Sequence, residues 1–104
     1  MTTNAEIDLR RNASVARALA YSSTFVADRA IGAEIWDVEG NRFIDFAGGI
    51  GCQNVGHGHP KVVSAIEKQA RNFTHTCFQI SPYQNYILLA ERLNALAPGD
   101  FQKK

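Results

Sequence analysis

The chain has 104 residues, with 11 basic and 10 acidic side chains and a formal net charge of +1. That length suits one small domain burying roughly 60–70% of its unfolded surface, so a modest core is expected, while the absence of a basic stripe argues against nucleic acid. The apolar runs fall far short of a membrane span and the start lacks the pattern of a secretory signal, so Cys52 and Cys77 are expected as reduced thiols in a cytoplasmic protein.

The first predicted element is a helix from Glu6 to about Ala20. Leu9, Ala13, Ala16 and Ala20 form one stripe, with Arg10, Arg11, Asn12 and Arg17 off it. The stripe is mostly alanine, so it offers only a weak docking face. Tyr21 to Ile31 reads as an extended lead-in, ended by Gly32. Ala33 to Phe46 reads as a β-hairpin. Two short segments rich in β-branched and aromatic residues flank a turn cluster, Asp37 to Asn41, in which Gly40 supplies a positive φ. Trp36 and Val38 share a face with Glu34. Ile44 and Phe46 share a face of the second strand, with Phe43 on the other.

Ala47-Gly48-Gly49-Ile50-Gly51 follows. Its glycines suit a tight bend or a close backbone approach to a ligand, against the simpler reading of a flexible strand exit. Cys52 to His59 is a loop. Pro60 opens a helix whose Val62, Val63, Ile66, Ala70 and Phe73 recur at helical spacing. The last helix is expected to open at Ser81-Pro82-Tyr83-Gln84, with Ser81 as cap and Gln84 completing a capping box. Tyr86, Leu89, Ala90, Leu93 and Leu96 are its predicted buried stripe, and Pro98-Gly99 stops it. No repeat, low-complexity tract or linker divides the chain, so residues 1–104 are expected to form a single α+β unit.

Cys52, His57, His59, His75 and Cys77 have the side chains zinc requires, but their spacing fits no closed-site pattern. Cys77 beside His75 invites a nucleophile-and-base reading, since alternate residues of a strand face one way. No orienting carboxylate is nearby in sequence, and a half-buried thiol is the simpler alternative. The glycine cluster is neither a nucleotide phosphate loop nor a dinucleotide fingerprint.

In combination these strings are more specific. Trp36-Asp37-Val38-Glu39-Gly40, Asp45-Phe46-Ala47-Gly48-Gly49-Ile50 and Gly56-His57-Gly58-His59-Pro60 resemble the N-terminal region of class-III aminotransferases, pyridoxal-phosphate enzymes of fold type I. Thr74-His75-Thr76-Cys77-Phe78-Gln79 and Pro98-Gly99-Asp100-Phe101 resemble the 4-aminobutyrate aminotransferase branch. The likeness runs from about Phe25 to Lys104. It implies an N-terminal segment (arm helix, hairpin, two helices) of a longer enzyme with an α/β large domain and a small domain.

That enzyme would move an amino group from an ω-amino acid to 2-oxoglutarate with pyridoxal 5′-phosphate, as a homodimer or higher oligomer. By position, the resemblance places Ile50 and Gln79 at the substrate pocket. It assigns no catalytic, cofactor-binding or metal-binding residue to this segment. The cofactor lysine, its ring-nitrogen carboxylate and the phosphate loop are expected beyond Lys104, and Lys61, Lys68, Lys103 and Lys104 match no such lysine. Ala16-Arg17-Ala18 stands where relatives often carry Pro-Arg-Gly, a departure that would let the first helix run on. Acetylornithine, ornithine and diaminobutyrate aminotransferases are neighbouring readings, and a stand-alone, non-catalytic interaction module is the alternative from another class. The isolated chain is expected to be inactive and to leave apolar surface uncovered.

Overall fold

A computed structural model describes residues 2–103; Met1 and Lys104 lie outside the described residues. The elements are α1 (Asn4–Ser14), β1 (Ala27–Ile31), β2 (Glu34–Asp37), β3 (Arg42–Ile44), α2 (Gly48–Gly51), α3 (Pro60–Asn72) and α4 (Gln84–Leu96). This is an α+β segment. Its residues gather into two compact units, one ending at Ile66 and one starting at Glu67. No helix among the described residues is long and apolar enough to cross a membrane.

In the first unit, α1 starts at a capping box. The Thr3 hydroxyl accepts the Glu6 N–H at 3.2 Å, and the Glu6 carboxylate accepts the Thr3 N–H at 2.9 Å. The helix ends at Ser14, well short of the predicted Ala20. Val15 is extended (φ −95°, ψ 139°), and its N–H closes the last turn on the Arg11 carbonyl. The chain then returns along the helix. The Tyr21 hydroxyl donates to Asp8 at 3.3 Å, and the Arg11 guanidinium lies 3.0 Å from the centre of the Tyr21 ring. A helix continued to Ala20 would forfeit both contacts.

The predicted hairpin forms, and the expected lead-in adds a strand to it. The sheet is three-stranded and antiparallel in the order β1-β2-β3. Ile31 pairs with Glu34, so Gly32 and Ala33 make a two-residue link, and Gly32 takes the positive φ (58°) such a link requires. Ala27 and Arg29 bracket a register shift at Asp28. Across the sheet Arg29 faces Trp36 and lies 3.8 Å from its ring centre, while Arg42 reaches Glu34 at 3.3 Å. On the other face Ile35 is opposite Phe43, which stacks on Phe25 with ring centres 4.5 Å apart.

Asp37, where β2 enters its turn, is the sole buried residue among those described, with 3% of its surface exposed. One carboxylate oxygen accepts the N–H groups of Glu39 and Asn41 at 3.0 and 2.8 Å. The other accepts the side-chain amides of Asn41 at 2.9 Å and Asn4 at 2.8 Å. Asn4 in turn accepts the Val26 N–H at 2.7 Å, so α1, β1's approach and the β2–β3 turn meet at one carboxylate.

The modest hydrophobic core that the sequence suggested does not form: no described hydrophobic side chain is buried. Three short strands cover too little area to close over their own aromatic residues. The predicted stripe of α4 is likewise open, with Leu93 at 56% and Leu96 at 70% exposure.

In the second unit, aromatic side chains gather near the start of α4. Tyr83 meets Phe73 and Phe78 edge-on, with ring centres 5.7 and 5.4 Å apart, and Phe78 lies 4.3 Å from Tyr86. The predicted capping box at Ser81 is absent. Helix α4 begins at Gln84 behind an extended Tyr83 that gives no side-chain cap. Ser81 is engaged in the preceding turn, donating its N–H to Cys77 and accepting the Thr76 hydroxyl through its carbonyl. Pro82 also disfavours helical backbone at Ser81. The other end is as predicted: α4 stops at Leu96, and Ala97, preceding Pro98, is extended.

Gly56 provides a test of close packing within the first unit. A Cβ there would sit 3.0 Å from Gly32 Cα and 3.1 Å from its carbonyl carbon, at φ +81°. Gly40 has a similar φ of +84°, but a Cβ there meets nothing within 4 Å. Gly56→Ala is therefore expected to cost clearly more than about 1 kcal/mol, and Gly40→Ala to cost the backbone strain alone. Equal melting temperatures for the two variants would show that the approach of Gly56 to Gly32 does not matter.

Candidate functional site

The predicted glycine bend is a left-handed turn. Gly48, Gly49, Ile50 and Gly51 have φ values of 50, 57, 58 and 80°. Residues without a Cβ enter this region freely, which accounts for glycine at three of the four positions. The Ala47 carbonyl accepts the N–H groups of Ile50 at 2.6 Å and Gly51 at 3.2 Å. The Gly48 carbonyl accepts those of Cys52 and Gln53, both at 3.0 Å.

Ile50 is the exception. It is β-branched, yet it adopts φ 58° and ψ 59°. Such a conformation costs on the order of 1–3 kcal/mol and persists only where its surroundings impose it. Its side chain is not packed away, being 94% exposed. The turn therefore displays one apolar side chain in a strained backbone setting.

Asp45, a residue singled out in the sequence only as part of a longer string, leads into the turn. Its Oδ1 accepts the N–H groups of Ala47 and Gly48 at 3.0 and 2.9 Å. Its Oδ2 is 2.7 Å from His57 Nε2. His57 is itself fixed through its backbone: its N–H donates to the Gly32 carbonyl at 2.8 Å, and its carbonyl accepts the Gly32 N–H at 2.9 Å. The β1–β2 link thus anchors His57, His57 anchors Asp45, and Asp45 sets the entry to the turn. An Asp ahead of a small-residue run is a turn signal that sequence reasoning can recognise. The pairing with a histidine from beyond the turn carries no such signal.

The hydrogen bond from His57 is the main influence holding Asp45 below the ordinary carboxylate value of 3.8. The Gly48 N–H adds to it, burial opposes it, and the Ala47 N–H contributes least among the hydrogen bonds. At Asp37 burial is the largest single influence and pushes upward. The donors from Asn41, Asn4 and Glu39 together outweigh it, so that group too lies below 3.8.

Gln79 belongs to the second unit and Ile50 to the first. Gln79 sits in a turn closed by the N–H groups of Ile80 and Ser81 on the Cys77 carbonyl, at 2.9 and 3.0 Å. Its side chain is exposed, and its amide oxygen accepts the Cys77 thiol at 3.3 Å. Cys77 takes a positive φ of 53°. Residues 74–79 form no strand, so the alternation that would place His75 and Cys77 on one face does not apply.

Among the described residues, no group of three or more His, Cys, Asp or Glu side chains is placed to hold a metal ion. His57 is engaged with Asp45. His59 opens α3: its Nδ1 accepts the Lys61 N–H at 3.3 Å, and its carbonyl accepts those of Val62 and Val63. The donor set does not suit a pyridoxal phosphate either. The N–H groups of Ala47, Gly48, Ile50, Gly51, Cys52 and Gln53 are all committed within the turn, leaving no phosphate cradle there. Asp37 and Asp45 are engaged by internal donors, and Lys61 and Lys68 lie on the exposed surface of α3.

The family model described as aminotransferase class-III matches residues 16–103. The chain is 46% identical over 104 residues to the 4-aminobutyrate aminotransferase GabT of Escherichia coli, covering 100% of this chain and 24% of that protein. It is 48% identical over 102 residues to the 5-aminovalerate aminotransferase DavT of Pseudomonas aeruginosa, covering 98% of this chain and 24% of that one. Its fold is similar to that of acetylornithine aminotransferase from Elizabethkingia anophelis, with a TM-score of 0.80 and 25% identity. That likeness covers 92% of this chain and 24% of that structure. The chain thus spans about a quarter of the length of these relatives.

The two depressed carboxylates fix an acid dependence. A carboxylate that binds its proton less readily when folded stabilises the fold above its unfolded value, and that stabilisation is lost as the pH falls through the folded value. Asp37 and Asp45 should therefore contribute fully at neutral pH and fade as the pH drops past 3.8 and below. Melting temperatures followed from pH 7 to pH 2 should fall more steeply on acidification for the parent than for Asp37→Asn combined with Asp45→Asn. Parallel curves would mean that these two groups do not link folding to protons.

Proposed function

This chain belongs to the class-III aminotransferase family, and from that premise we propose that residues 1–104 are the N-terminal segment of a pyridoxal-phosphate-dependent transaminase of the 4-aminobutyrate type. In this reading the whole enzyme moves an amino group from a straight ω-amino acid to 2-oxoglutarate. The observation that carries the proposal is the identity of 46% and 48%, over essentially all of the chain, to aminotransferases named for 4-aminobutyrate and 5-aminovalerate. Both substrates are short methylene chains with the amine at the far end.

Within that reading Ile50 is a substrate-pocket residue. An exposed apolar side chain on a strained turn suits the methylene chain of such a substrate, which offers no hydrogen-bonding group between its two ends. Gln79 supplies a polar contact from its own turn. The cofactor supplies the amino-carrying chemistry when bound, and its lysine, carboxylate and phosphate loop come from sequence beyond this segment. The open stripe of α4, together with the exposed Phe46 and Ile44, supports burial against the remainder of the enzyme and a second subunit. The proposal includes a homodimer working in the cytoplasm.

Two measurements on the longer protein that carries this segment test the reading. Glutamate formation from 2-oxoglutarate should be supported by 4-aminobutyrate or 5-aminovalerate, with kcat/KM at least about tenfold above that for ornithine or N-acetylornithine. Preference for the latter pair, or no amino transfer at all, would overturn it. Ile50→Gln should lower kcat/KM for 4-aminobutyrate by roughly tenfold or more with little change in melting temperature, since it exchanges an apolar contact for an amide. Parent kinetics in that variant would remove Ile50 from the pocket.

A further inference from the structure

The strained backbone at Ile50 needs a cause, and the turn's internal hydrogen bonds are not a sufficient one. They run from Ile50, Gly51, Cys52 and Gln53 to the carbonyls of Ala47 and Gly48, so they close the turn without tying it to anything else. The tie to the sheet runs through Asp45, whose backbone N–H donates to the Ala33 carbonyl at 2.8 Å and whose carboxylate reaches into the turn. Asp45 follows β3 directly, and its Oδ1 collects the two N–H groups that lead into the turn. Its Oδ2 meets His57 Nε2 at 2.7 Å, and both groups are largely shielded, with side-chain exposures of 7% for Asp45 and 20% for His57. Paired backbone hydrogen bonds hold His57 against Gly32. Gly56 approaches the Gly32 backbone so closely that a Cβ there would sit 3.0 Å from Gly32 Cα.

We propose that Asp45 and His57 are positioning residues for the substrate pocket: their contact clamps the Gly48–Gly51 turn in its left-handed form and thereby sets where the Ile50 side chain stands. The contact of Ile50 with substrate rests on the functional reading above. The clamp itself rests on the geometry of the turn. The pair touches neither substrate nor cofactor in this account and acts only through the turn. Its loss should therefore weaken recognition of the ω-amino acid while leaving the chemical step nearly intact. Binding of 2-oxoglutarate, whose ends both carry carboxylates, should depend less on an apolar side chain.

The test uses the full-length enzyme carrying this segment, in the parent form and as His57→Leu and His57→Gln. Leucine removes the donor to Asp45. Glutamine keeps a side-chain N–H of similar reach. His57→Leu should raise KM for 4-aminobutyrate about tenfold, with kcat and the KM for 2-oxoglutarate each within about twofold of parent, and His57→Gln should restore most of the loss. The crystal structure of His57→Leu should show Ile50 out of the left-handed region. A turn that keeps Ile50 at positive φ in that structure overturns the clamp. So does a uniform fall in kcat for both substrates that glutamine does not rescue. If Ile50 moves while the kinetics with 4-aminobutyrate stay at the parent level, the clamp stands and the substrate reading of Ile50 falls. Should His57→Leu not fold, His57→Asn, whose amide stops short of Asp45, is judged by the same two criteria.

Discussion

Carboxylates, rather than a hydrophobic core, hold the first unit together. Asp37 is the single buried residue among those described, and it collects donors from its own turn and from Asn4 at the start of α1, which in turn accepts the Val26 N–H of the chain entering β1. A buried carboxylate is tolerable only when its lone pairs are occupied, and here four donors occupy them. Asp45 repeats the device at the far end of the hairpin. Hydrogen bonds of this kind are directional, so they fix the path of the backbone in a way that non-directional apolar contact does not.

The functional reading depends on that directionality. An isoleucine does not choose a left-handed backbone by itself, and a flexible glycine run would not hold it there. The sequence around it removes the alternatives one at a time. Glycines at 48, 49 and 51 admit the turn, Asp45 fixes its first two N–H groups, and His57 holds Asp45 to the link between β1 and β2. The outcome is an apolar side chain displayed in one place. A pocket that must recognise a chain of methylenes needs such a surface, because shape is the property by which those atoms are recognised.

The features legible in the sequence were those decided locally. Gly40 at positive φ, Pro60 at the head of α3 and Pro98 after α4 each follow from the chemistry of one residue and its neighbours. The features that escaped were decided by partners distant in sequence. Helix α1 stops at Ser14, and Tyr21 returns to Arg11 and Asp8. The stretch Ala27–Ile31 has little intrinsic preference for a strand and becomes one because β2 is there to pair with it. Ser81 looks like a cap but is drawn into the turn that carries Cys77 and Gln79. At the candidate site, the choice of Ile50 came from the chain's resemblance to a known family and its role there is a proposal, whereas the Asp45–His57 contact could be found only in the fold.

An apolar stripe on α4, an open Phe46 and an open Ile50 are costly to leave in water, at roughly 25 cal/mol for each Å² of apolar surface. Polar clamps can shape such a chain, but they leave that surface to be covered by other protein. Trp36, the single tryptophan, lies in β2 against Arg29 and so reports on the sheet. A urea titration of the 104-residue chain followed by Trp36 fluorescence, repeated over a hundredfold range of protein concentration, is the most direct measurement. A shallow transition is expected, or one that shifts with concentration as copies cover one another. A steep, concentration-independent transition with an unfolding free energy of about 5 kcal/mol or more would contradict this expectation, because the chain would then be stable without any partner surface.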